Sequence, residues 1–374
     1  MKVAFYTTRM LLGYGVDLAL YEISRRLVRK GWYVTVFATT LDDTYRKSEF
    51  EIRKIDIYGG FLNRALPIFE LNAQRALRKL KGELTQYDVH IPATFPFYGV
   101  WAVVDRPTVF FDFGNVPTKG FTIKGKANWL YMHLMETLLH SQKVHAIITI
   151  SHFLARRFPL ESRNKLRVVY LGGDHYLNRA NNSGKNLEEL RNNLRARIGV
   201  QENEVLIGTC SRLHRRHAHY KRLPRLVALF KELPKDYKAK LLVTGIGSEE
   251  DVHWLKSQGV LVLPNAPPED MPTFYSAIDI YATMSEWEGL NLPILEASWF
   301  AKPTVALAVG AHPEIPVSSL AQNDGQFREK LLELIADGKL RDELGLKSNK
   351  LVKDFNWENT TDAFAEAINR VTSQ

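Results

Sequence analysis

The sequence predicts an α/β protein made of two doubly wound domains in tandem, with a cleft between them. Three observations support this prediction. The chain has 374 residues, which suggests two domains at about 150 residues each. Short β-rich runs alternate with amphipathic segments, as in a parallel sheet with helices on both faces. A second such series follows residues 178–186 (NRANNSGKN), whose polar composition suits an exposed connection.

The first half opens with a strand, a helix and a second strand. Residues 2–7 (KVAFYT) predict a buried strand, residues 17–30 an amphipathic helix that Gly31 ends, and residues 32–38 the next strand. This is a β-α-β unit. The later elements predicted in this half are strands at 89–93, 108–111 and 146–150 and a long helix near 127–140.

The second half repeats the pattern. Its predicted strands are residues 205–209, 240–244, 260–263, 278–282 and 303–306. A last helix at 358–371 packs on one domain or the other. We therefore predict an N-terminal domain at 1–175, a C-terminal domain at 176–355, and a C-terminal helix at 356–374 that crosses back to the N-terminal domain.

Composition limits the class of protein. Hydrophobic residues make up 45% of the chain and charged residues 24%, which is ordinary for a soluble globular protein. No run approaches the ~18 apolar residues that span a bilayer, and the N-terminus resembles a strand and not a signal peptide. The single cysteine, Cys210, excludes an internal disulfide. We expect a cytoplasmic protein, with a peripheral position on the inner face of the membrane as an open alternative.

Charge is distributed unevenly along the chain. Residues 1–185 carry 27 Lys and Arg against 15 Asp and Glu, whereas the remainder carries 23 against 26. The net charge of +9 therefore comes entirely from the first half. Such asymmetry indicates an anionic partner for this half, such as phospholipid headgroups, a phosphorylated acceptor or nucleic acid.

Two carboxylates follow the predicted strand at 278–282, where ligands bind in open α/β sheets. They are Glu288 and Glu296, in residues 285–297 (SEWEGLNLPILEA). Pro293 fits the first position of a helix, which makes Leu292 the predicted N-cap. Glu296 then falls in or just after the first turn, while Glu288 lies on the loop beside Gly289.

The start of this helix has the properties of a phosphate site. Free backbone N–H groups from about Leu290 to Ile294 would point toward a ligand, together with the positive end of the helix dipole. A structural alternative also exists. The dipole alone favours a glutamate in a first turn by roughly 0.3–1 kcal/mol, and a glutamate on a loop is usually solvated.

This segment resembles a known family. The pattern S-x-x-E-G-x-x-L-P-x-x-E-A-x-x-x-x-K-P is similar to the E-x7-E signature of retaining glycosyltransferases of family GT4, which have the GT-B fold of two facing Rossmann-like domains. The resemblance extends over nearly the whole chain. Further similar segments are residues 13–15 (GYG), 148–151 (ITIS), 168–174 (VVYLGGD), 211–213 with Lys221, and 355–358 (FNWE).

The resemblance implies a role for each carboxylate. Glu296 would hold the ribose hydroxyls of a sugar nucleotide, and Glu288 would lie beside the donor sugar. Arg212 and Lys221 would bind the diphosphate and stabilise the leaving charge. Alternatively, residues 212–222 form an exposed basic patch. The spacing from Arg to Lys is longer than in the family, so residues 214–220 resemble an insertion, and this leaves Arg216 as an alternative to Lys221.

The resemblance also assigns the C-terminal domain to the donor and the N-terminal domain to the acceptor. Gly15 would let the backbone approach the donor phosphate, with a turn glycine as the alternative. The donor-binding residues implied are Gly15, Arg212, Lys221, Gly289, Leu290, Asn291, Leu292 and Glu296. The chain departs from the family at Asn291, where glycine is common.

A second departure is Asp112, which stands where relatives carry a histidine that contacts the donor sugar. We keep two alternatives open for this residue. Asp112 takes over the contact and belongs with the catalytic set of Glu288, Arg212 and Lys221, or it caps a turn.

An apolar stripe in the first half has two interpretations. Its members recur at helical spacing, beside basic residues that lie mostly off the stripe: Leu66, Phe69, Ala73, Leu77, Leu80 and Leu84, and Arg75, Arg78, Lys79 and Lys81. One interpretation is a helix packed on its sheet with a solvated basic face. The other is a surface that rests on anionic lipid, extended by residues 59–62 and 119–126.

We therefore expect a retaining, metal-independent glycosyltransferase without a cofactor, which uses a nucleotide-sugar donor. The expected acceptor is a carbohydrate, a glycolipid or another hydroxyl compound, with an anionic membrane surface as a further partner. The alternatives are another GT-B enzyme, such as a sugar-nucleotide epimerase or a phosphorylase, and a non-catalytic nucleic-acid-binding protein. No motif for binding nucleic acid supports the last of these.

Overall fold

Parallel strands form the framework of the protein. The computed structural model describes residues 1–43, 45, 48–57, 66–116, 122–213, 219–234 and 236–373, without the side chains of residues 66, 67 and 124. These residues divide into two units, Met1–Tyr170 with Glu358–Gln374, and Leu171–Trp357. The change of unit thus occurs at 170/171 and again at 357/358, and the C-terminal residues group with the first unit.

The first unit contains seven described strands: β1 (Lys2–Met10), β2 (Tyr33–Leu41), β3 (Glu51–Lys54), β4 (Val89–Pro92), β5 (Val109–Asp112), β6 (Ala146–Thr149) and β7 (Leu166–Val168). They lie in the order β3-β2-β1-β4 and β5-β6-β7. A parallel bridge from His90 to Thr108 connects β4 to the start of β5. Every pairing is parallel; in the centre, Val3 lies opposite both Val34 and Val89.

Helices connect these strands: α1 (Gly15–Arg29), α2 (Leu66–Lys79), α3 (Lys81–Leu84), α4 (Ile123–Leu134), α5 (Ser141–Lys143) and α6 (His152–Ala155). A π-helical segment, Met135–His140, joins α4 to α5. The stripe on α2 belongs to the core, since Ala73 and Leu77 are fully buried and pack with Tyr6 and Phe37. The packed helix is therefore the correct interpretation of this stripe. Residues 59–62 and 119–121 lie outside the described residues.

The second unit has its own parallel sheet, made of β8 (Val205–Cys210), β9 (Ala239–Gly245), β10 (Leu261–Pro264), β11 (Ile280–Thr283), β12 (Thr304–Leu307) and β13 (Ser319–Ala321). Their order is β10-β9-β8-β11-β12-β13. The order therefore reverses between β8 and β11, so the carboxyl ends of these two strands lie at a switch point, where ligands bind in this class of sheet.

The remaining helices are α7 (His175–Asn182), α8 (Leu187–Arg197), α9 (Leu223–Lys231), α10 (Glu249–Ser257), α11 (Met271–Ala277), α12 (Leu292–Trp299), α13 (Asp324–Ala336), α14 (Gly338–Leu351) and α15 (Trp357–Thr372). The expected exposed connection at 178–186 is only partly correct, because residues up to Asn182 belong to α7 and only 183–186 connect it to α8. Helix α7 buries His175 and Ala180 and turns its asparagines outward. Up to Asn182, the polar composition reflected one face of a helix and not a linker.

The α/β fold class with parallel sheets is confirmed by this architecture. No helix among the described residues is both long enough and apolar enough to cross a bilayer.

Candidate donor site of the second unit

The loop from β11 to α12 carries both predicted carboxylates. Helix α12 begins at Leu292, with Asn291 as its N-cap and Pro293 within its first two residues. The expected N-cap at Leu292 is therefore wrong by one residue. Asn291 keeps a non-helical backbone, and its carbonyl accepts a hydrogen bond from the Ile294 N–H at 3.0 Å. The Ile294 N–H is thus already bonded, and proline has none, so the expected row of free N–H groups is shorter than predicted.

Glu288 lies on this loop and is 5% exposed. Its Oε1 atom is 2.7 Å from Nζ of Lys221 and accepts a second hydrogen bond from Nδ2 of Asn291 at 3.3 Å. Its backbone is also fixed, because the carbonyl accepts from the Ala311 N–H at 3.1 Å. Glu288 is therefore held in one position by a cation, an amide and the neighbouring loop.

Gly310 makes this arrangement possible. Its φ of +56° lies in the left-handed region, and a Cβ atom at this position would clash with the backbone of Glu288. Only glycine meets both requirements. Glycine at this position thus allows the loops after β11 and β12 to approach each other.

Lys221 ends a short 3-10 turn, His219–Lys221, just before α9. Its burial is the largest single influence and would by itself lower the pKa of the ammonium, but the charge and hydrogen bond of Glu288 together with Tyr220 outweigh it, and the net effect raises the pKa. Lys221 is therefore charged at neutral pH. The turn is fixed to the other loop, because the Tyr220 carbonyl accepts from the Glu286 N–H at 2.7 Å.

Asn291 connects Glu288 to a histidine that the sequence did not single out. The ring of His312 approaches the Leu307 carbonyl with Nδ1 at 2.6 Å and Asn291 Nδ2 with Nε2 at 3.0 Å. Because a carbonyl only accepts, Nδ1 carries the proton and Nε2 accepts from the amide. Burial lowers the pKa of His312, which keeps the ring neutral and this tautomer in place. Both amide hydrogens of Asn291 are thus used internally.

Glu296 lies one turn into α12 and is 4% exposed. The hydroxyl of Tyr275 donates to its Oε2, and Nε2 of His175 lies 3.3 Å from its Oε1. The other ring nitrogen of His175, Nδ1, accepts from the indole Nε1 of Trp357 at 3.0 Å. Since an indole only donates, the proton of the neutral ring lies on Nε2 and faces Glu296. Trp357 therefore sets this tautomer.

Arg212 follows the carboxyl end of β8 by two residues. The segment is fixed on both sides, because the Ser211 N–H donates to the Thr244 carbonyl at 2.9 Å and the Leu213 N–H donates to the Ile246 carbonyl at 2.8 Å. Residues 214–218, which include the alternative Arg216, lie outside the described residues. Arg212 and Lys221 thus both follow β8, and Glu288 and Glu296 follow β11, at the two strands where the order reverses.

Two family models match the chain. The model described as Glycosyltransferase Family 4 matches residues 14–175, and the model described as Glycosyl transferases group 1 matches residues 191–351. Together they account for most of both units.

Each half of the chain thus matches a glycosyltransferase family.

Curated relatives of this glycosyltransferase include spore coat protein SA of Bacillus subtilis, 23% identical over 241 residues, and O-antigen chain mannosyltransferase B of Escherichia coli, 29% identical over 154 residues. The first match covers 58% of this chain and 62% of the relative, and the second covers 38% and 40%. The chain thus spans about half the length of the curated relatives it matches.

Solved structures show the fold of this glycosyltransferase. HepE of Anabaena in complex with UDP and glucose has a TM-score of 0.77 at 18% identity, with 99% of this chain and 100% of HepE covered. WaaG, a glycosyltransferase involved in lipopolysaccharide biosynthesis, has a TM-score of 0.71 at 15% identity, with 96% and 98% covered. These neighbours have the GT-B fold, which confirms the predicted pair of Rossmann-like domains.

The first unit of the glycosyltransferase holds the two remaining predicted residues. Gly15 is the first residue of α1, after the carboxyl end of β1, whereas the positive φ in this loop, +78°, belongs to Gly13. Gly15 thus keeps its predicted place at a strand-to-helix turn, but Gly13 makes the turn itself.

Asp112 ends β5 and is fully buried. Its carboxylate accepts from the Gly114 N–H at 2.8 Å and from the Thr149 hydroxyl at 2.9 Å, and it is paired with Arg157. Arg157 also binds Glu136 at 2.8 Å. The contact with the Gly114 N–H favours the turn-capping alternative for Asp112 in this glycosyltransferase. Asp112 also forms a buried ion pair with Arg157.

Three residues of the candidate site were not predicted: His175, Tyr275 and His312. Each contacts a predicted residue, yet each is distant from it in sequence. Only His312 carried a signal, because it follows Gly310 closely in the turn that contacts Glu288. For the other two, the contact depends on how α7 and α11 pack beside α12.

Proposed function

We propose that this glycosyltransferase moves a sugar from a nucleotide-sugar donor to a hydroxyl acceptor, with retention of anomeric configuration and without a metal ion. The observation that carries the proposal is the pair Glu288 and Glu296 at the start of α12. One carboxylate is held by the charged Lys221, and the other by Tyr275 and His175. This rigidity suits a binding site better than two solvated glutamates.

The role proposed for Glu296 is to accept hydrogen bonds from the ribose hydroxyls. A carboxylate offers about four lone-pair positions, and Tyr275 and His175 each face one oxygen. Positions on both oxygens remain for the two hydroxyls. The complexes of HepE with UDP and with UDP-glucose support a nucleotide-sugar donor for the present chain.

Arg212 and Lys221 are proposed to bind the diphosphate. During transfer, the bond from the anomeric carbon to the phosphate oxygen breaks, and its electron pair goes to that oxygen. The acceptor oxygen bonds to the same face of the anomeric carbon, and its proton passes to the leaving phosphate. The two cations stabilise the charge that develops, which is the part a metal plays in other transferases.

The acceptor is proposed to be a carbohydrate or glycolipid hydroxyl at the inner face of an anionic membrane. Two observations support this. The net positive charge of residues 1–185 suits an anionic surface, and the relatives include an O-antigen chain mannosyltransferase and a glycosyltransferase of lipopolysaccharide biosynthesis.

Thermal shift with UDP-, GDP- and ADP-sugars, with and without EDTA, tests the donor part. We expect one nucleotide class to raise Tm equally in both conditions. An increase in Tm that EDTA abolishes would contradict metal independence, and no increase with any nucleotide would contradict the donor site. Turnover without an acceptor would indicate an epimerase, and dependence on free phosphate would indicate a phosphorylase.

Lys221→Gln tests the chemical role. Loss of one positive charge from the leaving-group site should lower kcat by about 10²–10³-fold, measured as transfer from the nucleotide that raises Tm. Lys231→Gln, on the exposed end of α9, is the control and should keep wild-type kcat. Equal kcat for wild type and K221Q, with both proteins folded, would remove Lys221 from the mechanism.

A further inference from the structure

Helix α4 of the first unit presents apolar side chains to solvent. Ile123 is 89% exposed, Leu130 51%, Leu134 43% and Leu138 50%. They recur every three or four residues, with the exposed Ala127 between the first two, so they share one face of the helix. An apolar face of this length on a soluble protein marks an interaction surface.

The π-helical segment continues this face beyond α4. Leu138 lies within Met135–His140, and its neighbour Leu139 is also exposed. The Ser162 hydroxyl donates to Ser141 Oγ at 3.3 Å, which connects α5 to the segment Leu160–Lys165, whose first residue is also an exposed leucine. The apolar surface therefore extends beyond α4.

The surroundings of this face are basic. Between Asp112 and Glu161 the sequence contains a single carboxylate, Glu136, against six Lys and Arg. Glu136 is 1% exposed and is engaged with Arg157, so it offers no negative charge to the surface. Lys126 and Lys143 are exposed on α4 and α5.

Arg156 adds a third exposed cation. It directly precedes Arg157, whose guanidinium lies 2.8 Å from Glu136 on the π-helical segment. The apolar face is thus flanked by positive charge.

The combination of positive charge and exposed apolar side chains indicates which partner covers this face. A second copy of the chain on a two-fold axis would bring the same basic residues of both copies together, and the like charges would repel. An anionic lipid surface instead offers hydrocarbon to the leucines and headgroup charge to the lysines. Exposed apolar side chains flanked by Lys and Arg are the features of a helix that lies in a membrane interface.

We propose that the face of α4 and the following π-helical segment formed by Ile123, Leu130, Leu134 and Leu138 docks this protein on an anionic lipid bilayer. This assigns to α4 the contact that the sequence offered for α2, whose stripe is buried. The inference rests on the peripheral membrane position proposed above, but not on the donor chemistry. Because α4 follows β5 at its carboxyl end, docking here places the acceptor unit directly on the surface that would contain a glycolipid.

Vesicle cosedimentation of the full chain tests the proposal. Wild type should bind phosphatidylglycerol vesicles at least about tenfold more strongly than phosphatidylcholine vesicles. The variant L130Q/L134Q should lose about tenfold of this binding, since two leucines that enter the interface become polar. Both side chains are exposed, so Tm should stay unchanged. The matched control is L346Q/L351Q, with two exposed leucines of α14, which should bind as wild type.

Two further variants separate the sources of binding. K126Q/K143Q should also lower binding to phosphatidylglycerol and reduce its dependence on salt. Arg78, Lys79 and Lys81 on α2 and α3 provide the comparison, and their replacement by Ser should have a smaller effect than L130Q/L134Q.

The proposal is overturned if wild type binds neither vesicle, if L130Q/L134Q binds as wild type, or if only the α2 and α3 replacements abolish binding. It is also overturned if sedimentation velocity shows a dimer that L130Q/L134Q dissociates, since a second copy would then cover the face. Vesicle binding without any nucleotide-induced change in Tm would leave docking intact and contradict the donor proposal alone.

Discussion

At the scale of single residues, the candidate site depends on the direction of two histidine rings. Trp357 and the Leu307 carbonyl each fix one ring nitrogen, and the opposite nitrogen then faces a residue of the site. Glu288 accepts a hydrogen bond from the amide of Asn291, which donates in turn to His312, and Glu296 lies 3.3 Å from Nε2 of His175. Neither carboxylate needs to act as a general acid or base for this arrangement to be useful.

Trp357→Phe tests the ring of His175. Without the indole N–H, Nδ1 loses its donor and the proton is no longer restricted to Nε2. We expect nitrogen NMR of the His175 ring to show an Nε2–H tautomer in wild type and a mixture in W357F. Nucleotide Kd should rise about three- to tenfold, the equivalent of one hydrogen bond of roughly 1 kcal/mol.

Trp299→Phe is the matched control for this change. Trp299 also donates through its indole, but to the Phe355 carbonyl at 3.1 Å and not to a histidine ring. It should leave the tautomer and the nucleotide Kd at their wild-type values. An Nδ1–H tautomer in wild type would contradict the assigned role of Trp357.

At the scale of elements, the loops after β11 and β12 depend on each other. Gly310 combines a positive φ with a close approach to Glu288, so Gly310→Ala should lower stability by about 1–3 kcal/mol and displace Glu288. Transfer activity should fall as well. Thermal unfolding and the rate of sugar transfer measure the two effects.

Gly259→Ala separates strain from displacement. Gly259 has a φ of +78°, but no atom of the described residues lies within 4 Å of the place that a Cβ would take, so this variant carries the backbone strain alone. We expect G259A to lower Tm and keep wild-type transfer per folded molecule. If G310A also kept wild-type transfer, the contact between the two loops would have no part in function.

Some of the strands and helices were predictable from the sequence and others were not. Buried runs such as residues 205–209 and 278–282 placed β8 and β11 to within about two residues, because fully buried parallel strands are continuous apolar runs. Strand β3 was missed because three of its four residues (EIRK) are charged. The strand lies at the edge of the sheet and is not an apolar run. Helix α7 was missed because its exposed asparagines resemble a linker.

The candidate site was predictable only in part for a related reason. Glu288 and Glu296 stand in one short segment, so their spacing and the adjacent Pro293 indicated a helix start. His175 and Tyr275 reach Glu296 from α7 and α11, and such contacts depend on tertiary packing, which spacing does not encode. The N-cap is Asn291 and not the predicted Leu292. Capping preferences alone do not distinguish two adjacent positions.

At the scale of the whole molecule, the first unit stores a buried charge imbalance. Arg157 lies between Asp112 and Glu136, and one cation does not neutralise two buried carboxylates. Burial raises the pKa of Glu136 to about 7, against the opposing attraction of Arg157. Between pH 4.5 and about 7, the folded protein therefore keeps a proton on Glu136. The unfolded chain, in which the pKa of this carboxyl is 4.5, has already released it.

This imbalance predicts a pH dependence of stability. A raised folded pKa contributes stability that is fully present below pH 4.5 and is lost as pH rises through about 7. Between pH 5 and 7, the free energy of unfolding of wild type should fall by about 1 kcal/mol per pH unit relative to Glu136→Gln. Thermal unfolding at a series of pH values measures it.

The control for this dependence is Glu161→Gln, which removes an exposed glutamate of the same unit. Its Tm should follow that of wild type across the pH range. Parallel curves for wild type and E136Q would show that Glu136 is ionised in the folded protein throughout, and the charge imbalance would then have no effect on stability.

The central claim for the whole molecule is that the second unit binds a nucleotide-sugar through the start of α12. Calorimetric titration with the nucleotide that raises Tm tests it most directly, with Glu296→Gln compared against Glu249→Gln, an exposed glutamate in the first turn of α10. The account predicts that E296Q raises Kd by about 10–100-fold, from the weakening of two hydrogen bonds to ribose, while E249Q keeps the wild-type value. Equal Kd for E296Q and wild type, with both folded, would contradict it.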